Sequence, residues 1–182
     1  EGTIRFPKGS GGGSITYRNG LTFHIPEDAV IVLDDDSMLG FTVVVNNPFE
    51  DVHEDDWFYE SAMFAYSHGL MQGTSLESMQ FSPNVPLTRS MVVTILYRMA
   101  GSPDGSGLEN PFGDTADNQW DTDAVKWAAE NGITSGYGNG QFGPGDDIER
   151  QDLAVIFARY IKSMGINLPE TENYSGFNDE AD

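Results

Sequence analysis

The run Asn131-Gly132-Ile133-Thr134-Ser135-Gly136-Tyr137-Gly138-Asn139-Gly140-Gln141-Phe142-Gly143-Pro144 decides how the rest of the chain is read. A helix cannot run through so many glycines, because each costs about 1 kcal/mol in a helix interior. The run is therefore a loop. Gly132 stands where a helix C-terminus wants a left-handed residue, and Phe142-Gly143-Pro144 marks the exit. The same landmarks occur earlier: Gly69-Leu70 and Gly73 lie 63 positions before Gly132-Ile133 and Gly136. Phe81-Ser82-Pro83 precedes Phe142-Gly143-Pro144 by 61, so the first loop is two residues longer.

Working outward from the loop, the match continues on both sides. Upstream, Phe49-Glu50-Asp51-Val52 pairs with Phe112-Gly113-Asp114-Thr115, Trp57 with Trp120 and Ala65 with Ala128. Downstream, Leu87-Thr88-Arg89 pairs with Ile148-Glu149-Arg150, and Tyr97-Arg98 with Ala158-Arg159. Phe177-Asn178-Asp179 then opens a third copy. Each copy predicts a first helix, over 57–68 and 120–131, then the glycine loop, then a second helix starting near Thr88 or Glu149. Thr88 is a good N-cap, and Glu149 a weaker one that suits the helix dipole. Met91, Val92, Ile95, Leu96 and Met99 form a helical apolar stripe, as do Leu153, Ala154, Phe157 and Ile161. A helix-loop-helix unit cannot bury its apolar face alone, so the copies are expected to share a core.

Residues 1–48 read differently. Lys8-Gly9-Ser10-Gly11-Gly12-Gly13-Ser14 is a flexible spacer, and two alternating runs flank Asn19-Gly20, a strong hairpin signal. Segments 29–33 and 39–45 read as two further strands. This is a small β element, the tail of an upstream domain or a linker. The remaining divisions are 49–110 for repeat 1, 111–170 for repeat 2 and 171–182 for the start of repeat 3. The first residue is Glu1, which suggests a mature or excised piece.

Composition excludes several classes of function. The chain has 182 residues with 29 acids against 9 Lys and Arg, a formal charge of −20. Nine cations leave little to build a basic face for nucleic acid or an attraction to anionic lipid. There is no cysteine, hence no thiolate metal site, disulfide or cysteine nucleophile. The three histidines, His24, His53 and His68, lie far apart, and the Asp-rich stretches lack calcium-loop spacing, so neither metal nor cofactor is expected. No stretch of about 18 apolar residues is present to span a membrane.

The pattern Phe-x-Asp-Val, Trp, Ala, Gly-Leu/Ile-x-x-Gly, Phe-x-Pro, Leu/Ile-Thr-Arg and a later Arg resembles the S-layer homology (SLH) domain, over about two-thirds of the chain. The resemblance implies a mainly α fold. Its helix-loop-helix repeats would pack as part of a pseudo-threefold helical spindle. It also implies a non-catalytic module on the bacterial cell surface or surface layer. Such a module binds secondary cell-wall polysaccharide, often through a pyruvylated sugar, and tethers an S-layer or exported protein. The family's Thr-Arg-Ala-Glu motif supplies an arginine, which is Arg89 in Thr88-Arg89-Ser90-Met91 and Arg150 in Glu149-Arg150-Gln151-Asp152. Repeat 1 lacks the motif's final acid, and repeat 2 lacks its threonine.

The residues add their own argument. After residue 48 only six cations face 23 acids, and four of the six are repeat-equivalent arginines. Arginine suits a sugar carboxylate because its planar fork can bond both oxygens. Arg89 and Arg150 are therefore the expected carboxylate-binding residues, the plain alternative being a bond to a neighbouring Asp or Glu. Trp57, Trp120 and Tyr137 offer apolar faces for sugar, although either tryptophan could instead staple the core of its repeat. Gly73 and Gly136 serve backbone geometry or a backbone contact to ligand. Arg98 and Arg159 fall half a turn out of phase with the first pair and are expected in intramolecular ion pairs. The alternative to an anchor is a structural module in which an incomplete spindle self-associates as a homo-oligomer.

Overall fold

The computed structural model describes residues 47–75 and 78–168, with the backbone of five short strands inside residues 1–46. The hairpin expected about Asn19-Gly20 is present as β2 (Gly13–Thr16) and β3 (Thr22–Ile25), antiparallel with Thr16 opposite Thr22. The two further expected strands are β4 (Val30–Leu33) and β5 (Phe41–Val44), also antiparallel. A strand absent from the sequence reading, β1 (Thr3–Arg5), pairs with the other edge of β4 to give the order β1-β4-β5. The proposed start of a third repeat lies outside the described residues.

The rest is helical. Helices α1 (Tyr59–Ser67) and α2 (Arg89–Met99) belong to repeat 1, and α3 (Thr122–Glu130) and α4 (Arg150–Ser163) to repeat 2. Gly69 and Gly132 both end their helices at φ 67°. In each case the next residue donates its N–H five residues back, Leu70 to Ala65 at 2.8 Å and Ile133 to Ala128 at 2.8 Å, which closes the helix end. Thr88 caps α2 by accepting from the Met91 N–H, whereas Glu149 makes no such bond at the start of α4.

A carboxylate in each copy explains the Phe-x-Asp motif. Asp51 accepts from the N–H groups of Phe81 and Ser82, both at 2.7 Å. Asp114 does the same for Phe142 and Gly143, both at 2.8 Å. The acid at the start of the repeat thus clamps the loop exit about 30 residues on. These N–H groups lie on one side of a loop with no ladder partner, and a charged acceptor satisfies two at once.

The copies share a core, but its division does not follow the repeats. Phe49, Val52, Ala62 and Met63 form a small cluster under α1 with Phe58, Tyr66 and Phe81. The larger cluster joins Val92, Val93 and Leu96 of α2 to Phe112, Val125, Trp127, Ala128, Ile133 and Phe142 of repeat 2. The second helix of repeat 1 therefore packs on the first helix and loop of repeat 2.

Candidate functional site

Arg89 opens α2 and reaches across into repeat 2. Its Nε donates to the carbonyl of Phe142 at 2.8 Å and its Nη1 to Asp152 at 2.5 Å. The guanidinium lies over the Tyr137 ring, 4.5 Å from the centroid, and within 5.3 Å of that of Phe142. Only 4% of its side chain is exposed. Backbone bonds seal the same seam: Arg89 N–H to the Asp146 carbonyl at 2.9 Å, and Ile148 N–H to the Leu87 carbonyl at 3.0 Å. Ser90 donates its hydroxyl to Asp121 at the start of α3. Arg89 therefore sits in an inter-repeat joint, with its charge met by a carboxylate of the same chain.

Two glycines make room for that joint. A Cβ on Gly136, at φ 62°, would come within 2.2 Å of the Gln141 carbonyl oxygen and 2.7 Å of the Phe112 ring. A Cβ on Gly143, at φ 71°, would strike the Tyr137 ring at 2.6 Å. Tyr137 donates its hydroxyl to Asp146 at 2.8 Å, and that carboxylate, with lesser help from desolvation, raises the phenol above its ordinary range. Burial alone would raise the Asp114 carboxyl, but the N–H bonds from Phe142 and Gly143 outweigh it and hold it below the usual value.

Among the described residues, the loop of repeat 1 carries no such joint. A groove of about 560 Å³ opens there instead, between the loop from Leu70 to Ser75, the exit from Phe81 to Leu87, and α2. Met91, Thr94, Ile95 and Arg98 line it from the helix, and Gly73 from the loop. Trp120 of repeat 2 lines it too, with 62% of its surface exposed. The closing residues of repeat 2 are missing: Thr74 stands where repeat 2 has Tyr137, Val85 where it has Asp146, and Met91 where it has Asp152.

Arg98 donates from Nη1 to the Leu70 carbonyl at 3.1 Å and from Nη2 to Gln72 Oε1 at 3.3 Å. No carboxylate of the described residues lies within 4.0 Å of it, which corrects the expected ion pair. The half-turn phase does point it away from Arg89, but onto a loop that offers neutral acceptors. Burial lowers its pKa from the ordinary value. It stays charged, since arginine has pKa to spare.

The structure thus brings Arg89, Tyr137 and Gly136 together in the joint, and Gly73 and Trp120 together in the groove. Arg150 is exposed at the start of α4, with no ion pair among the described residues. Trp57 is 94% exposed, touching Phe58 edge-on at 5.6 Å between centroids. Neither Trp57 nor Trp120 staples a core. That role belongs to Trp127, 5% exposed and edge-on to Tyr97. Sequence reasoning missed the groove residues Arg98 and Thr94. The available signal was their one-turn spacing on the face opposite Arg89.

Residues 48–90 and 111–154 each match the S-layer homology domain, and the chain carries two repeats of that family. It is a bacterial cell-surface module. Among curated proteins it is similar to the surface-layer 125 kDa protein of Lysinibacillus sphaericus, 32% identical over 120 residues, which is 64% of this chain and 10% of that protein. It is similar to an endoglucanase of Bacillus sp. (strain KSM-635), 29% identical over 134 residues, 74% of this chain and 14% of the enzyme. A cellulosome-anchoring protein of Acetivibrio thermocellus is 27% identical over 123 residues, 65% of this chain and 25% of that protein. The chain spans a quarter or less of the length of these relatives. Among the described residues no helix is long and apolar enough to cross a membrane.

Proposed function

We propose that the chain is a non-catalytic anchor that binds an acidic secondary cell-wall polysaccharide through the repeat-1 groove and so tethers a larger surface protein to the bacterial wall. The observation that carries this reading is Arg98, set in an open groove without a carboxylate partner among the described residues and with the exposed face of Trp120 at its edge. An arginine fork suits a sugar carboxylate, such as that of a pyruvyl ketal, and an indole face suits the sugar ring. Gly73 lines the loop wall beside them. Arg89, Tyr137 and Gly136 then act by holding the two repeats in register. Arg150 and Trp57 remain open to a longer polymer.

The names of a cellulosome-anchoring protein and a surface-layer protein among the relatives support a tether. The overall acidity argues that recognition is local and geometric, since the protein's field repels an anionic polymer at long range. Titration calorimetry with pyruvylated wall polysaccharide tests this. Arg98→Ala and Trp120→Ala each weaken binding tenfold or more on this reading, and unchanged affinity in the double variant sinks it.

One observation favours self-association as a second reading. Val155 and Phe157 on α4, and Ile166 and Leu168 beyond it, are large apolar side chains left 41–62% exposed. Light scattering across a concentration series distinguishes a monomeric anchor from a module that pairs through these exposed side chains.

A further inference from the structure

The sequence holds three Asn-Gly pairs, at Asn19, Asn131 and Asn139. Asn19-Gly20 lies outside the described residues. Such a pair can modify itself, because the glycine nitrogen, unhindered by a side chain, can attack the Cγ of the asparagine before it. The structure treats the other two pairs in opposite ways. Asn131 ends α3 with a nearly helical backbone, φ −85° and ψ 7°. Its Nδ2 donates back to the Trp127 carbonyl at 2.9 Å, which turns the side chain toward the helix and away from Gly132. The attacking group is held as well, since the Gly132 N–H donates to the Ala129 carbonyl at 3.0 Å.

Asn139 is exposed in the repeat-2 loop and folded forward. Its Oδ1 accepts from the Gln141 N–H at 3.1 Å, a turn that lays the side chain along Gly140. The Gly140 N–H itself meets no acceptor among the described residues. Gly140 stands at φ 81°, and a Cβ there would find nothing within 4 Å, so the nitrogen is open to base and solvent. The Gln141 N–H also points at the oxygen that takes up negative charge during attack, and so stabilises it. We propose that Asn139-Gly140 is a self-modification site, which deamidates in the folded protein and loosens the Arg89 joint. Hydroxide takes the Gly140 N–H proton and the nitrogen bonds to Cγ. The Cγ–Nδ2 bond then breaks, and ammonia leaves with a proton from water. Water opens the resulting succinimide at either carbonyl, to leave aspartate or isoaspartate. Isoaspartate routes the main chain through the β-carbon and so lengthens it. The lengthened link lies beside two bonds that hold the loop in shape: Gly113 N–H to the Gly140 carbonyl at 2.9 Å, and Tyr137 N–H to the Gln141 carbonyl at 2.8 Å. Tyr137 carries the ring that lies against Arg89. The loop of repeat 1, residues 69–83, has no asparagine, so the site belongs to the closed loop alone.

The test incubates the whole chain in mildly alkaline buffer and follows each asparagine by peptide mapping and mass spectrometry, with electron-transfer fragmentation to tell isoaspartate from aspartate. Asn139 is expected to convert roughly tenfold faster than Asn131, whose reaction waits on the helix end opening. In denaturing urea the two rates should converge, because the dipeptides are the same. Aged protein should show a fraction that melts several degrees lower and grows with the isoaspartate content. Asn139→Gln aged alongside should show no such fraction. Asn139→Asp adds the charge without the longer backbone and should melt close to unaged wild type. Conversion of Asn139 no faster than that of Asn131 in the folded chain, or a rate gap that survives in urea, overturns the site. The effect on the joint is overturned by preferential conversion with no lower-melting fraction, by the same fraction in Asn139→Gln, or by Asn139→Asp melting as low as the aged protein.

Discussion

The two repeats share a chain path, a carboxylate clamp and a helix-ending glycine, yet their loops end in opposite states. In repeat 2 the loop is closed by a side chain from its neighbour: Arg89 enters, and Phe142, Tyr137 and Asp152 surround it. In repeat 1 the equivalent loop faces an open groove, and Thr74, Val85 and Met91 stand where Tyr137, Asp146 and Asp152 would. The repeat supplies a frame, and a handful of substitutions accompany the change from a sealed loop to an open groove. Asp152 separates the two cases most plainly, because it meets Arg89 at the closed loop and is replaced by Met91 beside the open groove.

The sharpest way to break this comparison is to remove each arginine. Arg89→Ala should cost about 3 kcal/mol in chemical denaturation, since it leaves the buried Phe142 carbonyl without its donor, empties packing against Tyr137 and Phe142, and unpairs the partly exposed Asp152. Arg98→Ala should cost under about 1 kcal/mol, as it gives up two bonds to neutral acceptors at the edge of a groove. Equal losses would mean that the two sites are not different in kind. The next largest contrast is between the loop glycines. Gly136→Ala forces a left-handed φ and a clash with backbone, and should cost about 2 kcal/mol or more. Gly73 has no positive φ, and its added Cβ would sit 3.1 Å from the Gln80 carbonyl oxygen, so Gly73→Ala should cost about 1 kcal/mol or less. Thermal melting of the two variants side by side reads the difference.

Acid provides a gentler probe. The Asp114 carboxyl is held below its ordinary range, so in mild acid the unfolded chain takes up a proton there before the folded one. The clamp's contribution is fully present above the unfolded value near 4 and is lost as pH falls through the folded value. Asp114→Asn should lower stability at neutral pH by about 1 kcal/mol, the carboxylate being partly solvated, and should flatten the acid limb of a stability–pH profile. An unchanged limb would show that the clamp's charge is immaterial. The smallest effect is expected from Tyr137→Phe. It removes an exposed hydrogen bond to Asp146, leaves the ring over Arg89, and should cost about 0.5 kcal/mol.

Much of the frame is legible in the sequence. Glycine, proline and aromatic landmarks at repeat spacing locate the loops, and the helices begin and end within about two residues of where those landmarks put them. Such punctuation acts through local backbone geometry, which is why it can be read locally. The allegiance of α2 was not legible. An apolar stripe says which side chains are buried without saying against what, and Val93 and Leu96 turn out to share one cluster with Trp127 and Phe142 of the next repeat. The fate of Arg89 was hidden for the same reason, since Asp152 lies 63 residues away along the chain. Sequence left Trp57 and Trp120 between a sugar contact and a core staple; both are exposed, which removes the core alternative, because the repeat centres are filled from helix faces further in. Arg98 was misread because a chain so rich in acids makes an ion pair the obvious expectation. The loop carbonyl of Leu70 reached it first.

The offset core has a consequence for cooperativity. Val92, Val93 and Leu96 are contributed by one repeat and buried by the next, so a cut between the repeats at residue 110 would divide a single hydrophobic cluster. The smallest unit able to melt as a whole is therefore the pair. Heat or denaturant should register one transition over residues 49–168, where independent modules would give two, and separately expressed halves should be largely unfolded. A pair of repeats built in this way is lost as a whole or kept as a whole.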